Sequence, residues 1–417
     1  MKPHMAEPAN WDPRKIVYIA SSSYPLRFFR GLPHYLASCG FQLHAIAPPE
    51  QPLWDFCRNE GCTAHAVPIS RSITPLWDAV SVRRLCQMLR RIRPAIVESQ
   101  MTKAGLVGMM AAWAAGVPIR IYSNHGMAFA SATGWKRILL KTADQLSCRL
   151  ASHVHCVSRS VRQLMIDEGC CEEEKIRVLG NGSCGIDAEG RFNPHRIATN
   201  IRHQTRLSLG IPFDAPVLGF VARIAREKGV DDLAQVWQVL RECCPNLHLL
   251  MVGGSEPRDP ICAKTDALLR SDPRVHLTGE VSDMPAHYRA MDILVLPSLR
   301  EGMSMSLLEG AAMELPVVAC HIPGNVDAVA DGLTGTLVPV HDVTALVAAI
   351  RGYLEEPALC RKHGFAGRER VRRNFQREIV WEATCREYVD LLRAEGLPLP
   401  DRARTLGPLP WPERRAA

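Results

Sequence analysis

Short β-rich apolar runs alternate with longer stretches of helical periodicity along almost the whole chain, and the rhythm stops and restarts once near the middle. The first series of strand-like runs covers 15–20, 42–47, 63–68, 95–98, 119–123 and 153–157. Between them, residues 26–38, 76–91, 103–115 and 134–150 repeat apolar side chains at three- and four-residue spacing. That order predicts a doubly wound parallel sheet. From about 185 to 215 the pattern fades into a polar stretch with Asn193-Pro194, Ile211-Pro212 and Ala215-Pro216. It then resumes, with strands expected at 217–222, 248–252, 275–277, 293–297, 317–319 and 336–338 and helices at 231–243, 304–313 and 343–354.

A chain of 417 residues exceeds what one core usually organises. The expected division is an α/β domain over 1–190, a linker over 191–215, a second α/β domain over 216–376, a last helix over 377–395 and a disordered tail over 396–417. Open parallel sheets bind ligands beyond the carboxyl ends of their strands, where loops and helix N-termini converge, so chemistry is expected just after strands.

Composition narrows the function classes. No apolar run reaches the roughly 18 residues that span a bilayer, and Met1–Arg14 lacks the apolar core of a secretory signal, which predicts a cytoplasmic chain. The 15 cysteines are scattered without C-x-x-C spacing and read as reduced, buried small hydrophobes. His153 and His155 alternate on one strand but have no further metal ligand nearby. Residues 1–200 hold 24 Lys and Arg against 15 Asp and Glu, whereas 201–417 hold 26 against 28. A basic first half suits phosphate, nucleic acid or an anionic lipid surface, or is simply a solvated basic exterior.

Glu301 and Glu309 carry the sharpest motif, in Arg300-Glu301-Gly302-Met303-Ser304-Met305-Ser306-Leu307-Leu308-Glu309 after the strand at 293–297. Gly302 permits close backbone approach, Ser304 can cap the next helix, and the N–H groups of its first turn suit a phosphate or a sugar hydroxyl. Glu309 sits among apolar neighbours and needs a partner: a ribose diol, an arginine or a helix end. Arg223 and Lys228 flank the start of the helix at 231–243, where fork, point charge and backbone N–H groups together stabilise a diphosphate, or stand as ordinary surface cations. His125, in Ser123-Asn124-His125-Gly126, can meet a sugar hydroxyl or a developing charge, or can be structural.

Gly180-Asn181-Gly182-Ser183-Cys184-Gly185 matches G-x-G-x-x-G after a strand-like 176–179, but polar loop follows where a dinucleotide site needs a helix and a later acid. P-loop, nucleophile elbow and D-x-D pair are absent from the sequence, so no cofactor and no metal is expected. Gly134-Trp135-Lys136-Arg137 begins a basic helix with two readings, a rest on anionic lipid or a core-facing helix with a solvated basic face; the second is preferred here because the helix lies inside a βα repeat.

With these residues the chain resembles the retaining GT-B glycosyltransferases of family 4 from about Lys15 to Leu392. Within that family it looks most like bacterial enzymes that extend sugars on undecaprenyl diphosphate, through Lys103-Ala104-Gly105-Leu106, His125-Gly126-Met127-Ala128-Phe129, Val178-Leu179-Gly180-Asn181-Gly182-Ser183 and 290–298. The resemblance implies two Rossmann-like domains facing across a cleft, the first binding acceptor and the second the nucleotide sugar. It implies Arg223 and Lys228 on the diphosphate, Glu309 on the ribose, Glu301 and the N–H groups of Gly302, Met303 and Ser304 on the donor sugar, and His125 approaching that sugar. Arg27 and Lys103 are the implied acceptor contacts, and the last helix returns to the first domain. The implied activity is metal-independent transfer of a hexose or N-acetylhexosamine from a UDP-sugar to a lipid-linked saccharide, at an anionic membrane surface and without nucleic acid. The chain departs from many relatives at Ser21-Ser22-Ser23, where a Gly-Gly pair is common, at Glu98-Ser99-Gln100, which lacks a usual histidine, and at Met303. A nucleotide-sugar epimerase, a silent nucleotide-sugar-binding protein and a nucleic-acid-binding protein are the alternative classes.

Overall fold

Seven parallel strands form the first sheet of the computed structural model, which describes residues 11–70, 72 and 74–404. They are β1 (Asp12–Ile19), β2 (Gln42–Ala47), β3 (Thr63–Ala66), β4 (Pro94–Gln100), β5 (Ile119–Asn124), β6 (His153–Cys156) and β7 (Ile176–Val178). Their order is β3-β2-β1-β4-β5-β6-β7, so the winding reverses between β1 and β4. All seven residues of β4 are buried, as a strand covered on both faces requires. Helices α1 (Leu32–Ser38) and α2 (Gln51–Glu60) pack in one core with β1 and β2, while α3 (Pro75–Ile92), α4 (Met101–Ala115), α5 (Gly134–Leu150) and α6 (Arg159–Asp167) pack in the other.

The second unit, Gly185–Arg377, holds a six-stranded parallel sheet. Its strands are β8 (Val217–Val221), β9 (His248–Val252), β10 (Val275–Leu277), β11 (Ile293–Leu296), β12 (Val317–Cys320) and β13 (Gly335–Val338), in the order β10-β9-β8-β11-β12-β13. The winding reverses between β8 and β11. Its helices are α7 (Ile201–Ser208), α8 (Val230–Cys243), α9 (Ala263–Ser271), α10 (Met284–Ala290), α11 (Met305–Ala312), α12 (Asn325–Ala328), α13 (Val343–Glu355) and α14 (Pro357–Asn374). Helix α15 (Arg377–Ala394) then enters the first unit, which comprises 1–184 and 378–417. It buries Trp381, Tyr388, Val389, Leu391 and Leu392 in the core that holds β1 and α1, each large apolar side chain being worth roughly 1.5–3 kcal/mol.

Four expectations need correction. The polar stretch 191–215 is not a bare linker: it belongs with the second unit and carries α7. That helix is anchored by arginines rather than by an apolar stripe, with Arg202 2.6 Å from Asp292, and Arg206 2.9 Å from Asp292 and donating to the carbonyls of Ala215 and Ala290. The helix expected over 26–38 is a 3-10 turn over Tyr24–Phe29 and then α1, because Gly31 takes a φ of 85° and the Trp381 ring fills the space a Cβ would need. The tail is ordered through its first residues: Leu397 and Leu399 pack on the first core and Ala403 is fully buried, while 405–417 lie outside the described residues, as do 1–10.

The fourth concerns α5, whose outward face is apolar and not merely basic. Trp135 and Ile138 are 74% and 69% exposed, while Asp144, Ser147 and Cys148 point inward. The inward carboxylate is held by Tyr122 of β5, whose hydroxyl donates to Asp144 Oδ1 at 2.7 Å.

Candidate active site

In the second unit the candidate residues collect at the carboxyl ends of β8 and β11, the adjacent pair where the winding reverses, which is where open α/β sheets bind ligands. After β8 the chain passes Arg223, makes a 3-10 turn over Arg226–Lys228 and enters α8 through Gly229, whose φ is 72°. A Cβ at Gly229 would collide with the Pro297 carbonyl, so only glycine lets the two strand-end loops touch. Leu299 N–H donates to the Glu227 carbonyl at 2.9 Å and laces them together.

This closeness joins residues far apart in sequence. Lys228 Nζ lies 2.6 Å from Glu301 Oε1, and the two side chains are only 16% and 11% exposed. Arg223 pairs with Glu227 at 2.6 Å and with Glu256, and Arg300 pairs with the other oxygen of Glu227. Three cations thus face three carboxylates in one half-buried patch. Burial pushes the Glu227 carboxyl up, but Arg300, Lys228 and Arg223 outweigh it and hold it below the ordinary carboxylate range.

Glu309 lies on α11, and its Oε2 accepts from the Tyr288 hydroxyl of α10 at 2.9 Å. Burial, then Glu309, pushes that phenol well above its ordinary value, so it remains a donor. Gly302, Met303 and Ser304 are buried in the turn between the two glutamates. Ser304 does not cap α11 with its side chain, contrary to expectation; its hydroxyl donates to Asn325 Oδ1 at 2.6 Å instead.

In the first unit His125 follows β5 beside a cavity of about 50 Å³ that Tyr18, Glu98, Ser123 and Trp381 also line. Its Nε2 lies 2.5 Å from Gln100 Oε1, and Phe29 meets its ring edge to face. Burial pushes the imidazole down to about 4, so it is neutral near pH 7. Arg27 is exposed and lies over the Tyr24 ring at 3.6 Å, and Lys103 is paired with Asp78. Among the described residues neither makes a hydrogen bond or ion pair to His125, so the structure does not gather these three.

Sequence reasoning missed Glu227, Glu256, Arg300, Tyr288 and Gln100. Glu227 and Arg300 were within reach, since each adjoins a residue already singled out. The segment 180–185 forms turns with Ser183 at a φ of 74° and no helix follows before α7, so the dinucleotide geometry is not there. His155 is buried with Nε2 3.5 Å from Glu387, and among the described residues no group of three or more metal-ligating side chains occurs.

Residues 26–182 match the family described as glycosyl transferase 4-like domain, and residues 215–356 match glycosyl transferases group 1. The capsular polysaccharide biosynthesis glycosyltransferase CapM of Staphylococcus aureus is 30% identical over 381 residues, 91% of this chain and 98% of that protein. The UDP-Gal:alpha-D-GlcNAc-diphosphoundecaprenol alpha-1,3-galactosyltransferase of Escherichia coli is 27% identical, over 74% of this chain and 79% of its own. Among solved structures, a glycosyltransferase from Rickettsia africae superposes with a TM-score of 0.75 at 20% identity, covering 92% of this chain and 99% of that one. Anabaena HepE in complex with UDP and glucose gives a TM-score of 0.72 at 17% identity, covering 90% and 99%.

Proposed function

The chain belongs to the group 1 glycosyltransferases, retaining enzymes of family 4 with the GT-B fold, and from that premise we propose that it moves a hexose or N-acetylhexosamine from a UDP-sugar to a lipid-diphosphate-linked saccharide during surface-polysaccharide synthesis. The observation that carries this reading is the Lys228–Glu301 pair at the winding reversal of the second sheet. A diphosphate entering there takes Lys228 and Arg223 from their carboxylates. Glu301, released, accepts from hydroxyls of the donor sugar, with the N–H groups of Gly302, Met303 and Ser304 beside it. Glu309, steadied by Tyr288, accepts from the ribose diol.

In this reading the acceptor hydroxyl oxygen bonds to the anomeric carbon as the bond from that carbon to the diphosphate oxygen breaks, and the acceptor proton passes to the departing phosphate. Attack on the face being vacated retains configuration, and the cations stabilise charge as it builds on the leaving group. His125, Arg27 and Lys103 of the first unit are assigned to the sugar and the acceptor by the family resemblance. A UDP-linked donor and an undecaprenyl-diphosphate acceptor are supported by the activity for which the Escherichia coli relative is named and by the UDP bound to the Anabaena protein.

Peripheral attachment to an anionic bilayer is part of the same reading. Among the described residues no helix is long and apolar enough to cross a membrane. Helix α3 packs on α4 and α4 on α5, and their outer faces expose Trp77, Trp113, Trp135 and Ile138. Residues 74–150 include eleven Lys and Arg but only three acids, Asp78, Glu98 and Asp144, none of them exposed.

The test is radiolabelled sugar transfer by purified protein, compared with Lys228→Ala and Glu309→Ala. Loss of turnover in both supports the site; undiminished turnover in both removes it.

A further inference from the structure

A chain of hydrogen bonds in the first unit runs from Tyr18 to His125, and its protons converge on the Glu98 carboxylate from both ends. Tyr388 of α15 donates to Glu98 Oε2 at 2.6 Å, so the 2.7 Å contact between the Tyr18 and Tyr388 hydroxyls has Tyr18 as donor. Gln100 Nε2 donates to Glu98 Oε1 at 2.9 Å. Its amide is thereby oriented, because a flipped amide would set its oxygen against the carboxylate oxygen. Gln100 Oε1 then faces His125 Nε2 at 2.5 Å and can only accept, so the imidazole proton must sit on Nε2.

We propose that Gln100, oriented by Glu98 and Tyr388, is a positioning residue that fixes His125 in the Nε2–H form, leaving Nδ1 as an obligate acceptor that selects a hydroxyl over a carboxylate on the sugar it meets. The selectivity half rests on the proposed function; the fixed tautomer does not. A neutral Nδ1 accepts from a hydroxyl of a hexose, whereas the carboxylate of a hexuronic acid would bring a second acceptor against it. Only a protonated ring could donate to that carboxylate, and burial resists protonation, holding the imidazole near 4. Besides His125, the titratable groups lining the same cavity are Tyr18 of β1, Glu98 of β4, His155 and Cys156 of β6 and Cys184 after β7, so Glu98 is the carboxyl among them that Gln100 separates from the ring. Sequence alone hides this arrangement, because Glu98 and Gln100 are buried strand-end residues whose value lies in the direction of their dipoles.

Long-range proton–nitrogen NMR on the full chain labelled at histidine nitrogens tests it, with His125→Ala assigning the signal. The wild type should show one Nε2–H form from pH 5 to 8. Gln100→Leu should give a mixture of tautomers, together with a lower melting temperature because Glu98 loses a buried hydrogen bond. Gln100→Glu should raise the His125 titration midpoint by about one unit or more, through the added negative charge. With UDP-hexose and UDP-hexuronic acid as paired donors, Gln100→Glu should narrow the preference for the neutral sugar about tenfold, the equivalent of one such unit. An averaged tautomer in the wild type, or an unmoved midpoint in Gln100→Glu, overturns the positioning role whatever the enzyme transfers. A moved midpoint with an unchanged donor ratio overturns the selectivity. Failure of every UDP-sugar to react, with the tautomer fixed, instead counts against the transferase reading and removes the selectivity with it.

Discussion

Lys228 and Glu301 meet at 2.6 Å although 72 residues separate them, and both side chains are mostly withdrawn from water. Such a pair is informative because neither charge gains much from the other alone: desolvation offsets much of the attraction, and one partner without the other is unfavourable. A ligand that brings its own negative charge to Lys228 and its own hydroxyls to Glu301 relieves both.

Lys228→Ala should therefore lower kcat by about 100-fold or more, the scale of losing one preorganised donor to a developing anion. Lys228→Arg should recover little, since a planar fork does not reproduce the point charge that meets Glu301 at 2.6 Å. The Lys228→Ala, Glu301→Ala double variant should fall well short of the product of the single effects. Steady-state kinetics on the four proteins checks this; full multiplicativity would mean that the two residues act independently.

Tyr288→Phe tests how Glu309 is held. The phenol donates to Glu309 at 2.9 Å, and removing it deletes one hydrogen bond to a half-buried carboxylate, worth about 1.5–3 kcal/mol for a charged acceptor. The expected outcome is a raised KM for the nucleotide sugar, with a change in kcat several-fold smaller. Parallel loss of both constants would tie Tyr288 to the transition state rather than to ground-state binding of the nucleotide sugar.

These expectations show where the sequence was legible. Period-two and near-continuous apolar runs mark buried parallel strands, and Gln42–Ala47 and His248–Val252 coincide with the runs read from sequence. Helix α7 escaped because Arg206 fills its inward face and is 1% exposed, so the usual apolar period is missing. In the site, Arg223, Lys228, Glu301 and Glu309 stood out as charges at strand ends. Glu256 and Tyr288 did not, because they come from other loops and helices that only the folded unit brings alongside.

Acid sensitivity should come from two cross-strand histidine pairs. His44 Nδ1 and His65 Nε2 lie 3.0 Å apart on β2 and β3, and His248 and His276 repeat the arrangement at 2.9 Å on β9 and β10. Burial first, then the neighbouring His65, pushes His44 from 6.5 down to about 4, and the other three are also lowered by burial. The folded protein therefore takes up protons later than the unfolded chain. Stability is complete above about pH 6.5 and falls as pH drops from there toward 4, by roughly 1–2 kcal/mol through His44 after solvent screening, with the other three histidines acting in the same direction. His65→Phe should shrink the loss of urea midpoint between pH 7 and 5, since it keeps a ring and removes the titration.

The outer faces of α3 and α5 make the remaining prediction, and here charge and apolar exposure act together. Trp77 is 70% and Trp135 74% exposed, each on a helix that also exposes basic side chains: Arg83 and Arg84 on α3, Lys136 on α5. An indole at the interface gains apolar contact, and each nearby cation gains about 1 kcal/mol against an anionic surface. The protein should sediment with phosphatidylglycerol vesicles and not with phosphatidylcholine vesicles, and added salt should weaken that binding. Trp77→Ser with Trp135→Ser should lower vesicle affinity about tenfold or more while leaving transfer to a short, water-soluble acceptor intact, because neither indole belongs to the His125 network or to the Lys228 patch. Equal binding to neutral and anionic vesicles would show that the basic residues play no part, and unchanged binding by the double variant would show that the bilayer is met by another face.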